Sequence, residues 1–177
     1  MGKVFKWLAD QFIVQVVLNL LVYMLYWTII GAALTPAILF IIWSWGKCFP
    51  AGNIALFPAF MFAVSMMTAY FIFTVCGIIV FGLFIRILSL GFKEGSYEPT
   101  SWTMIRWLIL PGISNFACDF ILPSIAVSPL LNTFYLLVGC KIGKNVRINT
   151  PFLYDAYLLE LQDNVVVGGR AALTCHI

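Results

Sequence analysis

Two long stretches of this chain carry no charged side chain, and few folds accept that. No Asp, Glu, Lys or Arg occurs from Gln11 through Gly46, 36 residues, or from Cys48 through Ile85, 38 residues. About 20 apolar residues suffice for a helix to cross a bilayer. At about 1.5 Å rise per residue, a helix filling either stretch exceeds roughly 50 Å, against a hydrocarbon core of about 30 Å. Each stretch therefore holds either one long, tilted, overhanging helix or two short crossings. Thr35-Pro36, after Gly31-Ala32-Ala33, is the expected break in the first, because proline removes a helix hydrogen bond. Gly77 and Gly82 are the candidates in the second.

Composition agrees with a lipid-embedded chain. Of the 177 residues 63% are hydrophobic and only 10% charged, and the mean hydropathy is +1.02, whereas soluble domains carry roughly a quarter charged residues. A net charge of +3, spread along the chain, excludes a nucleic-acid partner. A cleaved signal peptide is also excluded, since the apolar run Phe12–Trp45 far exceeds the roughly 7–15 residues of a signal core. The bilayer is thus the expected partner of residues 1–92, with two to four crossings.

The basic residues bear on topology. With four crossings, Lys3, Lys6, Lys47, Arg86 and Lys93 share one face, which the positive-inside rule makes cytoplasmic. With two, Lys47 alone lies outside. Either even count places the C-terminal region in the cytoplasm of a cell-membrane protein. Gln11, Gln15 and Asn19 recur every four residues on one helical face. Such a stripe can line a path, but interhelical packing is its ordinary use. The cysteines, at 48, 76, 118, 140 and 175, have no metal or redox spacing, so no metal is expected.

Residues 93–138 read as a linker followed by interfacial helices. Gly91-Phe92-Lys93-Glu94-Gly95-Ser96-Tyr97-Glu98-Pro99 is polar and turn-rich. The apolar run from Trp102 to Val138 is interrupted by Arg106, Pro111, Asp119, Pro123 and Pro129. Short helices at headgroup level, anchored by Trp102 and Trp107, fit that pattern.

From residue 139 a six-residue period emerges. Aliphatic residues stand at Ile142, Ile148, Leu161, Val167 and Leu173, and a small or apolar residue follows each four places later. The period breaks after Leu153 and resumes shifted by one. A period of six matches neither a helix nor an alternating strand; it matches a solenoid whose flat sides each point one aliphatic residue inward. Glycine or asparagine after the inward residue lets the chain turn, where positive φ is often required. The competing reading is a pair of hairpins turning at Asp163-Asn164 and Gly168-Gly169. The expected fold is therefore a membrane α-helical bundle followed, over residues 139–177, by the start of a left-handed parallel β-helix.

This segment resembles the hexapeptide-repeat acyltransferase superfamily. More narrowly, residues 86–177 resemble the membrane-bound C-terminal region of nonribosomal peptide synthetases of the polylysine-synthetase type. The likeness rests on Gly95-Ser96-Tyr97-Glu98-Pro99 with Ser101-Trp102, on Leu136-Leu137-Val138-Gly139-Cys140-Lys141-Ile142-Gly143, and most closely on Tyr157-Leu158-Leu159-Glu160-Leu161-Gln162-Asp163-Asn164-Val165-Val166-Val167-Gly168. Glu98 before Pro99 departs from the family pattern, and Cys140 stands where alanine is common. About three repeats are needed to bury a continuous core, and the sequence stops inside a coil, as an incomplete reading frame would.

The resemblance implies a histidine general base that activates an amine or hydroxyl towards a thioester. His176 is the lone histidine and titrates near neutrality; its bland reading is a surface residue at a corner. Glu160 or Asp163 would orient its ring. Cys175 adjoins His176, but strand neighbours point to opposite faces. Lys141, Lys144, Arg147 and Arg170 would meet phosphates of the donor, an acyl-CoA or carrier-protein thioester, or form a solvated face near anionic lipid. The expected function is a membrane-anchored acyl- or aminoacyl-transferase, with a homotrimer or peptide-synthetase modules as partners. The alternative is a non-catalytic assembly module whose β-helix stub docks a partner. An export channel is disfavoured, since neither apolar stretch holds an ionisable Asp, Glu, Lys, Arg or His.

Overall fold

A computed structural model of the chain describes residues 12–50, 55–93, 95–98 and 101–175. Lys3, Lys6, Gln11, Glu94, Pro99 and His176 lie outside them.

Each charge-free stretch forms one continuous helix. Helix α1 spans Phe12–Cys48 and α2 spans Leu56–Ser89. The break expected at Thr35-Pro36 does not occur, because Pro36 lies inside α1. Pro36 leaves the Ala32 carbonyl without its N–H partner, and beside it the Thr35 hydroxyl donates to the Gly31 carbonyl at 2.8 Å. That hydroxyl bonds the carbonyl one residue before the freed one, so the helix carries Pro36 at the loss of a single ladder bond. The two helices fold back on each other. Trp45, Phe49 and Phe62 cluster edge-on or tilted near the turn, with ring centroids 4.8–5.7 Å apart. Ala33, Ala37 and Ala69 are buried along the pair, and such small side chains let helices approach closely.

Gly77 and Gly82 do not break α2 either. They are contact points: the Ile121 side chain packs where Gly77 has no Cβ, and Leu137 fills the notch at Gly82. Onto this face of α2 dock helix α3, Trp102–Phe116, and helix α4, Pro129–Val138. Ser101 caps α3 by accepting the Met104 N–H at 3.2 Å. The helix then continues as π turns over Ala117–Ile121 and 3-10 turns over Leu122–Ile125. The widened π geometry displaces backbone acceptors from the ladder, and the Tyr70 hydroxyl of α2 donates to the Phe120 carbonyl at 2.8 Å. Tyr26 of α1 reaches across to α3, donating to the Ile109 carbonyl at 2.7 Å with its ring lying on Gly112.

Among the described residues three helical runs are long and apolar enough to cross a membrane, by length and composition: Ile13–Cys48, Leu56–Ser89 and Trp102–Ile125. The third includes the segment expected to hold short interfacial helices. Three crossings would place the two ends of the chain on opposite faces, whereas the expected even count places them on one. Much of the outward surface of α1 is apolar, including Leu20, Met24, Trp27, Leu39 and Trp43, which is compatible with lipid contact.

Helix α4 ends in a Schellman motif. Gly139 takes φ +113°, its N–H reaching the Leu136 carbonyl while Cys140 N–H reaches that of Tyr135. A Cβ at Gly139 would overlap the Arg86 guanidinium, so that cation sits by the negative end of the α4 dipole. The chain then forms strands of two residues each: β1, Lys141–Ile142; β2, Arg147–Ile148; β3, Glu160–Leu161; β4, Val166–Val167. A single 3-10 turn, Ala156–Leu158, precedes β3.

All the described pairings are parallel, which excludes the hairpin reading. Strand β1 pairs with β3 and β2 with β4, both at an offset of 19 residues (Lys141 with Glu160, Arg147 with Val166). Leu153 bridges Leu173, one residue further on. That extra residue explains why the period shifts. Thr150, fully buried, donates to the Ala171 carbonyl at 2.8 Å and takes up the difference. Of the inward aliphatics, Ile148, Leu161 and Val167 are buried, while Ile142 and Leu173 are half-buried.

The corners bear out the expectation for asparagine and not for glycine. The left-handed backbone falls on Asn145, Asp155, Asn164 and Arg170, at φ from 52° to 63°, and not on Gly143, Gly168 or Gly169. Asn tolerates this region well. Asn145 and Asn164 stack at one corner, amide to amide at 3.2 Å.

Candidate functional site

The proposed site residues fall on different sides of the strand region. On the first, formed by β1 and β3, the Lys141 ammonium pairs with the Glu160 carboxylate at 3.0 Å, both well exposed. An exposed pair of this kind adds little stability. Asp163 follows on the same side, and its Oδ1 accepts the Lys144 backbone N–H at 2.7 Å. A Cβ at Gly143 would meet that same oxygen, so the glycine is required by close approach. Lys141, Glu160 and Asp163 line an open, polar hollow of about 550 Å³. Arg147 lies on the next side, in β2, and Arg170 at the corner beyond β4. The structure thus joins three of the named residues and separates two from them.

Cys175, which precedes His176 in the chain, belongs to a different place. It lines a hollow of about 770 Å³ together with Phe92, Tyr97 and the α3 residues Thr103, Met104 and Trp107. Lys93, Gly95, Ser96 and Leu158 complete the wall. The linker holds its shape through Tyr97, whose hydroxyl donates to the Lys93 carbonyl at 2.7 Å and accepts the Lys93 N–H at 3.2 Å. Tyr97 is a residue of the linker motif on which the family likeness rests.

A chain of contacts ties this linker to the strand region. Arg106 of α3 donates to the Leu90 carbonyl at 2.9 Å, and its guanidinium lies 4.7 Å over the Phe92 ring, a cation–π arrangement. Phe92 in turn meets Tyr157 edge-on at 5.4 Å. The Tyr157 hydroxyl donates to Asp155 Oδ1 at 2.9 Å. Burial, reinforced by the neighbouring Asp155 charge, keeps the Tyr157 phenol protonated well beyond its ordinary range.

Asp155 is the carboxylate that sequence reasoning missed. The Leu153–Leu173 bridge brings the two segments alongside, and Asp155 lies close enough for its charge to act on Cys175. Burial first, and then the Asp155 charge, push the Cys175 thiol above its usual value. A raised thiol pKa disfavours the thiolate, so Cys175 is a poor nucleophile here. The sequence signal was the offset itself: Asp155 stands one turn of the period, plus the one-residue shift, before Cys175.

These features define a mostly helical chain with three helices of membrane-spanning length and composition, followed by short parallel strand pairs. Over 88 residues the chain is 33% identical to the Delta-poly-L-ornithine synthetase of Acinetobacter baumannii (strain AB307-0294). That match takes in 50% of this chain and 6% of the synthetase, so the chain spans a small fraction of the length of the curated relative it matches. No family model matches the chain, and no solved structure matches it.

Proposed function

We propose that the chain is a membrane-anchored acyl- or aminoacyl-transferase segment of a peptide-synthetase system. On this reading α1 and α2 anchor it, residues 93–138 lead from the bilayer, and the parallel pairs are successive turns of a left-handed β-helix. The observation that carries the reading is the 770 Å³ hollow, which joins the family-like linker at Tyr97 to Cys175 in the strand region. Clefts of that size suit small-molecule substrates. The relative's name describes a polymer of ornithine joined at the δ position, which makes an amine the acceptor of choice here.

In the step proposed, the acceptor nitrogen attacks the thioester carbonyl carbon. The C–N bond forms, the C–S bond breaks, and the amine proton passes by way of His176 to the departing thiolate. Glu160 or Asp163 would orient its ring, and both are already engaged, by Lys141 and by the Lys144 N–H. That engagement is also what favours the second reading, a non-catalytic module that docks synthetase domains through its first side.

The test is transfer of a labelled aminoacyl group from a thioester to an amine by the full-length protein in lipid nanodiscs. Replacing a general base costs roughly 10²–10⁴-fold in rate, so His176→Ala should fall by that much with substrate affinity retained. Unchanged transfer in His176→Ala would leave the docking module as the better reading.

A further inference from the structure

Burial along α2 divides the molecule in two. The buried residues of the helix all fall between Ala69 and Ser89, and the later elements dock on that half. Arg106 reaches the Leu90 carbonyl, the Phe116 ring meets Phe81 at 5.7 Å, and Ile121 packs on Gly77. The third apolar run, Trp102–Ile125, thus travels back along α2 and ends near Tyr70, whose hydroxyl holds the Phe120 carbonyl. The strand region lies against the same half. Tyr157 meets Phe92, Asn132 donates to the Val146 carbonyl at 3.3 Å, and Asp155 and Tyr157 face Ser114 and Cys118 across a cavity of about 10 Å³. Lys141, Lys144, Arg147, Glu160 and Asp163 are exposed there, and the third run itself exposes Asn115 and Asp119. Hydrocarbon around Trp102–Ile125 would strip water from charges that a membrane interior admits only at high cost.

The other half has the opposite character. Ile38, Leu39, Trp43, Phe57, Phe60 and Met67 are all exposed. Trp27 to Trp45 in α1 and Leu56 to Thr74 in α2 are equal lengths of chain, each about 27 Å at 1.5 Å per residue, against a core of about 30 Å. Exposed Tyr23 and Trp27 stand at one end of α1's share, and Trp43, Trp45 and Lys47 at the other, as rings and cations do at the two headgroup layers. At the seam, the connection from α3 to α4 turns Phe120, Pro123 and Val127 outward. Val127 does so at φ +66°, in the left-handed region that a β-branched residue rarely adopts. An isopropyl group held out in this way gains by contact with acyl chains.

We propose that the bilayer covers the second half only. The α1–α2 hairpin crosses it from about the level of Trp27 and Thr74 to the turn beyond Trp45, lengths that match the core. The α3–α4 connection dips into its surface by about 5–10 Å, as interfacial apolar faces do. Trp102–Ile125 stays outside, a platform between bilayer and strand region, although its length and composition are those of a span. Phe12 and Cys175 then lie on one face. Beyond Trp27, α1 runs on to Ile13 with Leu20 and Met24 exposed; tilt, which reaches about 40° in crossing helices, draws the nearer part of that end into the headgroups. The inference rests on the anchoring part of the proposed function and deepens it, and it is independent of the transfer step.

Depth tests it. Leu39→Cys, Asn115→Cys and Glu160→Cys, all at exposed positions, are made in the full-length protein and placed in nanodiscs. Each is treated with a water-soluble maleimide, and labelling is read site by site by peptide mass spectrometry. The reagent needs a thiolate, which forms in water and not in hydrocarbon. Asn115→Cys should label as fast as Glu160→Cys, and labelling should be lost at Leu39→Cys. Benzoylphenylalanine in place of Phe120 should, on irradiation, form an adduct with phospholipid. Protection of Asn115→Cys equal to that of Leu39→Cys overturns the placement alone and makes Trp102–Ile125 a third crossing. A Phe120 cross-link to a second copy of the chain instead of lipid also overturns it, making that surface an interface between copies. Labelling of Leu39→Cys as fast as Glu160→Cys overturns more, because the anchor in the proposed function falls with it.

Discussion

The Tyr135 hydroxyl donates to the Pro151 carbonyl at 2.7 Å and accepts the Leu153 N–H at 3.4 Å, in a fully buried position between α4 and the strand region. One side chain thus satisfies two backbone groups on either side of the corner at Phe152, where water has no access. Tyr135→Phe leaves both unpaired while keeping the ring. An unsatisfied buried polar group costs about 1–3 kcal/mol, so thermal unfolding followed through the C-terminal region should shift down accordingly. Loss of protease resistance confined to residues after Gly139 is the expected signature; an unaltered melting curve would show that the bond carries no net stability.

Asp163 and Glu160 differ in what their carboxylates hold, a backbone N–H in one case and an exposed ammonium in the other. Asp163→Ala removes the acceptor of the Lys144 N–H and should destabilise the first turn by about 1 kcal/mol, within the range for such bonds. Asp163→Asn keeps an oxygen there and should be close to neutral. Glu160→Gln breaks an exposed ion pair, worth about 0–1 kcal/mol at most. Should Asp163→Asn fold normally yet abolish transfer, the role of orienting His176 would fall to Asp163.

The extent to which sequence sufficed is visible in the same residues. The charge-free stretches became α1 and α2, and the aliphatic period became parallel pairs at Ile142, Ile148, Leu161 and Val167. Three things escaped. A proline was read as a break, because a proline rule counts the one lost bond and not the length of helix on either side of it, here Phe12–Cys48. Glycine and asparagine were both read as corner residues, and only the asparagines, Asn145 and Asn164, serve there, with Asp155 and Arg170, while Gly143 makes room for Asp163. Asp155 was passed over because its significance depends on a partner one turn later, across the five-residue side Ile148–Leu153 that hid the period.

Helix packing offers a third prediction. The Tyr26 ring occupies the space that any side chain at Gly112 would need, and its hydroxyl reaches the Ile109 carbonyl one turn before. Gly112→Ala should detach α1 from α3, with a cost of about 1–3 kcal/mol for overpacking. Tyr26→Ala in the same chain frees the space, so the double variant should lose less than the two single costs combined. Strict additivity, read by thermal melts of all four proteins in one detergent, would mean that the two residues do not meet.

The last prediction concerns the pH dependence of Cys175. Its thiol is raised above the ordinary value by burial and then by Asp155, and the thiolate is the form that reacts with maleimide. The sign follows directly: at any pH below the folded-state midpoint less thiolate is present than in an unfolded peptide, so labelling is slower and its rise with pH comes later. Asp155→Asn removes the second cause but leaves the first. Its midpoint should therefore move down towards, without reaching, that of an unfolded cysteine peptide, and labelling near pH 8 should quicken. The variant also weakens the charge that the Tyr157 hydroxyl answers at 2.9 Å, so a parallel measurement in Tyr157→Phe separates the two effects. Removing the phenol leaves the Asp155 charge in place and should not lower the Cys175 midpoint. A profile in Asp155→Asn identical to that of the natural chain would place Asp155 and Cys175 out of electrostatic reach.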